Sequence, residues 1–124
     1  MLVWIIDMKK DNKVIVTHGN GPLVNAREAL NSLDLGFLKG KSVLIKPNIG
    51  RAASKKKKGI NTHPNAIAGV IEALKQTQAA RIAIGESPIV GVKTMEAFEK
   101  AGVIEVAKKY NCELIDLDKD KPLI

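Results

Sequence analysis

The sequence predicts an α/β domain of three layers, with a mainly parallel sheet of about four strands and covering helices. Three observations carry that expectation. Short β-branched runs at 13–17 (KVIVT), 42–46 (SVLIK), 81–84 (RIAI) and 112–117 (CELIDL) alternate with stretches of helical apolar spacing, the signature of parallel βαβ units. Turn residues follow the first three runs at once, as HGNGP, PNIG and GESP, which is punctuation between elements. Aromatic residues make up 3% of the chain against 45% hydrophobic residues. The core must then be Ile, Val, Leu and Ala, as parallel strands buried under helices require.

In chain order, residues 1–12 form an N-terminal extension whose apolar start (LVWII) reads as a short strand or an unpartnered tail. The domain proper spans 13–118. After the run at 13–17, helical spacing begins near Leu23 and brings Ala26, Leu30 and Leu33 to one face. Residues 34–41 are a loop or turn that buries Phe37. The run at 42–46 ends at Pro47, which donates no ladder hydrogen bond and holds Lys46 extended. A polar loop of about fourteen residues follows, a length that is usually functional or disordered. Pro64 then opens a helix with Thr62 or His63 as its cap. Its stripe of Ile67, Val70, Ile71 and Leu74 keeps the i, i+3, i+4, i+7 spacing. Gly69 weakens that helix by up to about 1 kcal/mol against Ala, which a close approach to a strand would explain. Residues 93–101 form a helix that buries Met95 and Phe98, and a shorter one turns Val103, Val106, Ala107 and Tyr110 inward. Residues 119–124 are a polar tail.

At 124 residues the chain suits one domain with one core. Its formal charge is +7, unevenly spread: residues 1–84 hold 14 Lys/Arg against 5 Asp/Glu, and residues 85–124 hold 6 against 8. Eight basic residues and no acid lie between Lys39 and Lys58. Such a patch attracts phosphate, nucleic acid or acidic headgroups, although a run of four lysines is also what a solvated loop carries. Cys112 is the single cysteine, so neither a disulfide framework nor a zinc or iron–sulfur site can be assembled from thiols. The apolar start is too short for a signal peptide or a membrane span, and a cytoplasmic protein with no membrane partner is expected.

In open α/β sheets ligands bind beyond the carboxyl ends of the strands. Polar residues collect there: His18 and Asn20 after the first run, Lys46 and Asn48 after the second, Glu86 and Ser87 after the third. Asn61, Thr62 and His63 sit at a helix N-terminus on the same edge, where free N–H groups and a partial positive charge favour an anion. Lys46, His63 and Glu86 are the candidate catalytic residues: a point charge, a proton donor or acceptor near neutral pH, and a base or the partner of Lys46. Asn48, Asn61, Thr62 and Ser87 are the candidate ligand-binding residues. Each has a plainer role: Lys46 as cover for the sheet edge, the asparagines and His63 as caps, Glu86 as the partner of Lys46, Ser87 as a turn residue. A P-loop, a full dinucleotide fingerprint, a nucleophile elbow and a histidine pair with metal-ligand spacing are all missing from the sequence.

The words VLIKPNIG, GINTHP, IAIGESPIVG, AFEKAGV and CELIDLD, in that order, resemble domain of unknown function 362 over roughly residues 13–118. The resemblance implies an uncharacterised protein of a family whose members often carry ferredoxin-type iron–sulfur modules and run well beyond this length, so that this chain is similar to their N-terminal part. It carries over onto Lys46, Asn48, Asn61, Thr62, His63, Pro64, Gly85, Glu86 and Ser87. A 4Fe-4S cluster is implied for some members, but Cys112 alone cannot hold one, and no cofactor is expected within this chain. The loop before GINTHP departs from the family in its four lysines.

Three functions compete. The first is a site for a small anionic ligand or substrate, in an enzyme or its remnant. The second is nucleic-acid binding through residues 39–58, against which stands the absence of aromatic side chains among the lysines. The third is a structural or truncated subunit whose open sheet edge is covered by self-association or a partner chain.

Overall fold

A computed structural model describes residues 13–119. Helix α1 (Gly21–Asn31) is followed by strand β1 (Ser42–Ile45), helix α2 (Pro64–Gln76), strand β2 (Arg81–Glu86), helices α3 (Thr94–Lys100) and α4 (Val103–Tyr110), and strand β3 (Glu113–Asp116). Short 3₁₀ turns occupy Gly36–Leu38 and Leu117–Lys119. The fold is α/β with a parallel sheet of three strands among the described residues, in the order β1-β2-β3. In register, Ile45 lies beside Ile84 and Ile84 beside Leu114, and at the carboxyl ends Glu86 lies beside Asp116.

Both crossovers advance the strand order in one direction. Right-handed connections then lay their helices on the same face, and the core reflects this. Ile67, Ile71, Phe98, Val103 and Ala107 from α2, α3 and α4 pack together with Ile45, Ile82, Ile84 and Leu114 of the sheet. The expected third layer would need a strand placed on the far side of β1, which reverses the order and sends a helix to the other face; no described strand does so. By strand alternation, Leu44, Ala83 and Ile115 point to that other face, where they line an open recess of about 210 Å³.

The strand expected at 13–17 is not formed. Val14 and Val16 are 84% and 80% exposed, and no described strand pairs with them. The segment is tied to α1 instead, with Lys13 Nζ donating to the Ser32 carbonyl at 2.9 Å and Thr17 Oγ1 to the Asn25 carbonyl at 2.8 Å. Strand preference reflects fit to a half-buried pleated surface, and the same valines without a neighbouring ladder gain nothing from it. Two aromatic or thioether side chains expected inside are also outside: Phe37 is 47% and Met95 42% exposed. Phe37 sits in the 3₁₀ turn Gly36–Leu38, which has no buried residue, whereas Phe98 is fully buried in the core. The N-terminal extension at 1–12, with its apolar start read as a short strand or an unpartnered tail, and the end of the polar tail lie outside the described residues.

Gly69 has a different reason from the one expected. It faces α1, not a strand. A Cβ there would lie 2.1 Å from the Leu23 carbonyl oxygen and 3.1 Å from Ala26 Cβ. The missing side chain lets α1 rest against α2, and an ion pair from Arg27 to Glu72 at 2.6 Å fastens the contact. Tyr110 of α4 donates its hydroxyl to the same Glu72 at 2.7 Å, so three helices meet on one carboxylate.

Gly69→Ala therefore separates propensity from packing. The substitution favours an isolated helix by about 1 kcal/mol, yet α1 must move to admit the methyl, and overpacking of this kind costs about 1–3 kcal/mol. A lower denaturation midpoint is expected in urea; a midpoint equal to or above the parent chain would show that α1 does not press on α2.

Candidate functional site

The carboxyl end of β2 is organised by Glu86, a charged side chain with 2% exposure. Its Oε1 accepts from Lys46 Nζ at 2.8 Å and from the Ser87 N–H at 2.8 Å; its Oε2 accepts from the Ile49 N–H at 3.0 Å. Burial works to raise the pKa of this carboxyl, but the Lys46 bond and the two backbone donors together outweigh it and hold the group below its ordinary value. Three donors from the chain after β1 and after β2 thus converge on one buried acceptor. Ile49, at the start of the long loop, is fully buried beside it, which explains why a loop residue belongs to the core.

The GINTHP word closes that loop. The Thr62 N–H donates to the Asn48 carbonyl at 2.9 Å, and the Asn48 N–H donates to Thr62 Oγ1 at 3.1 Å. Asn61 spends its amide on the loop itself: Nδ2 donates to the Arg51 carbonyl at 2.8 Å, and Oδ1 accepts from the Arg51 N–H at 3.3 Å. His63 is the N-cap of α2, its Nδ1 accepting from the Asn65 N–H at 3.1 Å. Pro64 has no N–H, and the N–H groups of Ala66 and Ile67 are directed at the His63 carbonyl, at 2.9 and 3.4 Å. The donors expected to be free at this helix start are thus engaged within the chain. The Asn48 side chain remains exposed.

The four lysines form a turn with fixed attachments. The Lys55 N–H donates to the Lys100 carbonyl at 3.0 Å, and the Lys57 N–H to the Ser54 carbonyl at 2.9 Å. Lys55 Nζ pairs with Glu105 at 2.7 Å. Its stem lies over Gly102, within 2.9 Å of where a Cβ would stand, and the φ of +79° there favours glycine. Lys56, Lys57 and Lys58 have no ion pair among the described residues. Between this turn and the start of α2 lie two adjoining cavities, of about 540 and 380 Å³. Lys55, Lys58, His63 and Pro64 line both. Lys46, Asn48 and Glu86 line neither, so the sequence-predicted residues divide into a brace at the strand ends and a cationic cleft at the helix start.

Ser87 joins a group that the sequence reading did not pick out. Its hydroxyl donates to Asp118, and the buried Thr94 hydroxyl donates to Asp116 at 2.7 Å. The Thr94 bond is the chief reason that Asp116 sits below its ordinary pKa; burial opposes it, and the Asp118 N–H and Lys119 assist. Thr94, Asp116 and Asp118 come together because β3 is in register with β2, a relation that residue spacing does not display. Among the described residues no group of histidine, cysteine, aspartate and glutamate is arranged to hold a metal ion. Cys112 is half-buried, and burial raises its thiol pKa.

Glu86→Gln tests the brace. One carboxylate oxygen becomes an NH₂ facing a donor, while Lys46, 42% exposed, stays solvated, so a loss of about 1–3 kcal/mol is expected. The sign of the pH dependence follows from the depressed pKa. The stability Glu86 contributes is fully present above the ordinary glutamate range and is lost as pH falls through the lower folded-state value. The difference between parent and variant should therefore shrink from neutral pH to about pH 3, as read from urea midpoints. A difference that stays constant over that range would refute an ionised, donor-bound Glu86.

No curated protein and no solved structure matches the chain. No helix among the described residues is long and apolar enough to cross a membrane. The family described as domain of unknown function (DUF362) matches residues 43–123. The match begins at β1, so residues 13–42, within the span of the resemblance, lie outside it. It takes in both walls of the loop, the brace at Glu86 and the register partner strand β3, and the chain belongs to that family.

Proposed function

We propose that this domain binds a small anionic ligand in the cleft between the lysine turn and the start of α2. The observation that carries the reading is the pair of adjoining cavities walled by Lys55, Lys58 and His63, with Lys56, Lys57 and Lys58 lacking acidic partners among the described residues. Clustered ammonium groups repel one another, and a bound anion relieves that repulsion. His63 adds a directed donor. With Nδ1 accepting from the Asn65 N–H, the neutral ring carries its proton on Nε2. In this reading Lys46 and Glu86 act as support for the cleft, Asn61 and Thr62 shape its wall, and Asn48 and Ser87 lie toward the strand ends.

A thermal-shift series with inorganic phosphate, sulfate and citrate tests it. An anion at about 100 times its Kd adds about 2.7 kcal/mol to the folded state, a rise of roughly 10 °C for a chain of this size. His63→Ser keeps an oxygen at the N-cap, so the unliganded midpoint should change little, while the ligand-induced rise should fall. The reading fails if none of the three anions raises the midpoint, or if the serine variant responds as the parent does.

The exposed turn at Lys56, Lys57 and Lys58 also supports a second reading, contact with nucleic-acid phosphates. That reading predicts binding of DNA or RNA at low salt with a steep fall as salt rises. Absence of binding at low salt rules it out and leaves the small-anion reading in place.

A further inference from the structure

We infer that the ligand of this cleft is a condensed phosphate, with two linked phosphoryl groups seated one in each cavity; the inference rests on the small-anion reading above. The turn distributes its lysines. Lys56 lines only the larger cavity and Lys57 only the smaller one, while Lys58 and His63 stand at the wall that both share. A single phosphate placed in either cavity meets only one of Lys56 and Lys57. Two phosphates joined by a bridging oxygen reach both in this assignment, with Lys58 and His63, which line both cavities, beside the bridge.

Charge matching agrees with this. Lys55 is neutralised by Glu105 at 2.7 Å, which leaves three cations at the cleft. One phosphate monoester carries about −1.5 to −2 at neutral pH, and two linked phosphates carry roughly twice that. The smaller cavity has no carboxylate in its lining, and the larger has only Glu105, already paired. Lysine is suited to such a ligand, since its ammonium acts as a point charge that tolerates rotation of the phosphate. The diphosphate could be free or part of a nucleotide, and the chemistry recognised is the same.

Calorimetric titrations in EDTA, with orthophosphate, pyrophosphate and ADP as probes, test the inference. Pyrophosphate is expected to bind at least about tenfold more tightly than orthophosphate, a difference of about 1.4 kcal/mol. Lys56→Ala and Lys57→Ala should each weaken pyrophosphate roughly five-fold, whereas orthophosphate should respond to one of the two at most. Lys108→Ala, on the exposed side of α4, removes the same charge elsewhere and should leave the preference intact. ADP binding like pyrophosphate identifies a nucleoside diphosphate as the source; ADP binding poorly identifies the free diphosphate. Equal affinity for the two inorganic probes, or a pyrophosphate response to only one lysine, overturns the two-cavity assignment and leaves a simple anion site. Binding of neither probe overturns both readings.

Discussion

A buried carboxylate with three donors is the constraint on which the rest of this domain depends. Glu86 ends the central strand, beside Asp116 of β3 on one side and bonded to Lys46 and Ile49, from the chain after β1, on the other. Taking its charge out of water costs several kcal/mol, which only good hydrogen bonds can offset. The donors it uses determine where the chain goes next. The Ile49 N–H is pulled to it, which seats the Ile49 side chain in the core. Asn48, one residue earlier, is then placed to pair twice with Thr62. Thr62 precedes His63, and His63 caps α2. A single interior acid thus fixes both ends of a long loop and the entry angle of the helix that follows.

The same order of dependence explains what could be read from the sequence. Helix α2 was legible because Ile67, Ile71 and Leu74 share a buried stripe and Pro64 opens it; the information is local. Strands β1, β2 and β3 were legible as β-branched runs closed by turn residues. The run at 13–17 has the same local character and forms no strand, because pairing is a property of neighbours and not of the run. Gly69 announced a close approach, but the partner, the Leu23 carbonyl of α1, is forty-six positions away in the chain. The layer count depended on strand order, and strand order is set by crossovers whose direction the pattern of elements does not encode.

The site divides in a similar way. Its location at the strand ends followed from fold class, and the residues singled out do lie at that edge or at the start of α2. Their roles were not legible. An asparagine that grips a ligand and one that grips its own loop are the same letter, and Asn61 does the second. Lys46 and Glu86 were read as alternatives, reactive groups or partners, and the geometry shows the partnership. Thr94, Asp116 and Asp118 went unremarked because only the parallel register brings Asp116 beside Glu86.

The lysine turn gains its meaning from this frame. A run of four lysines on a free loop would spread into solvent and present no fixed arrangement. Here the Lys55 N–H is held by the end of α3 and its stem lies on Gly102, so the next three residues leave from a defined point. The opposite wall is equally defined, since the His63 ring is oriented by the Asn65 N–H. That bond occupies Nδ1, so the neutral ring carries its proton on Nε2, and a backbone donor inside the helix sets the chemical form of a side chain outside it. In the proposed reading, a turn anchored at Lys55 and a histidine ring held by its own helix leave less ordering to occur when an anion binds, which is how preorganisation adds to affinity.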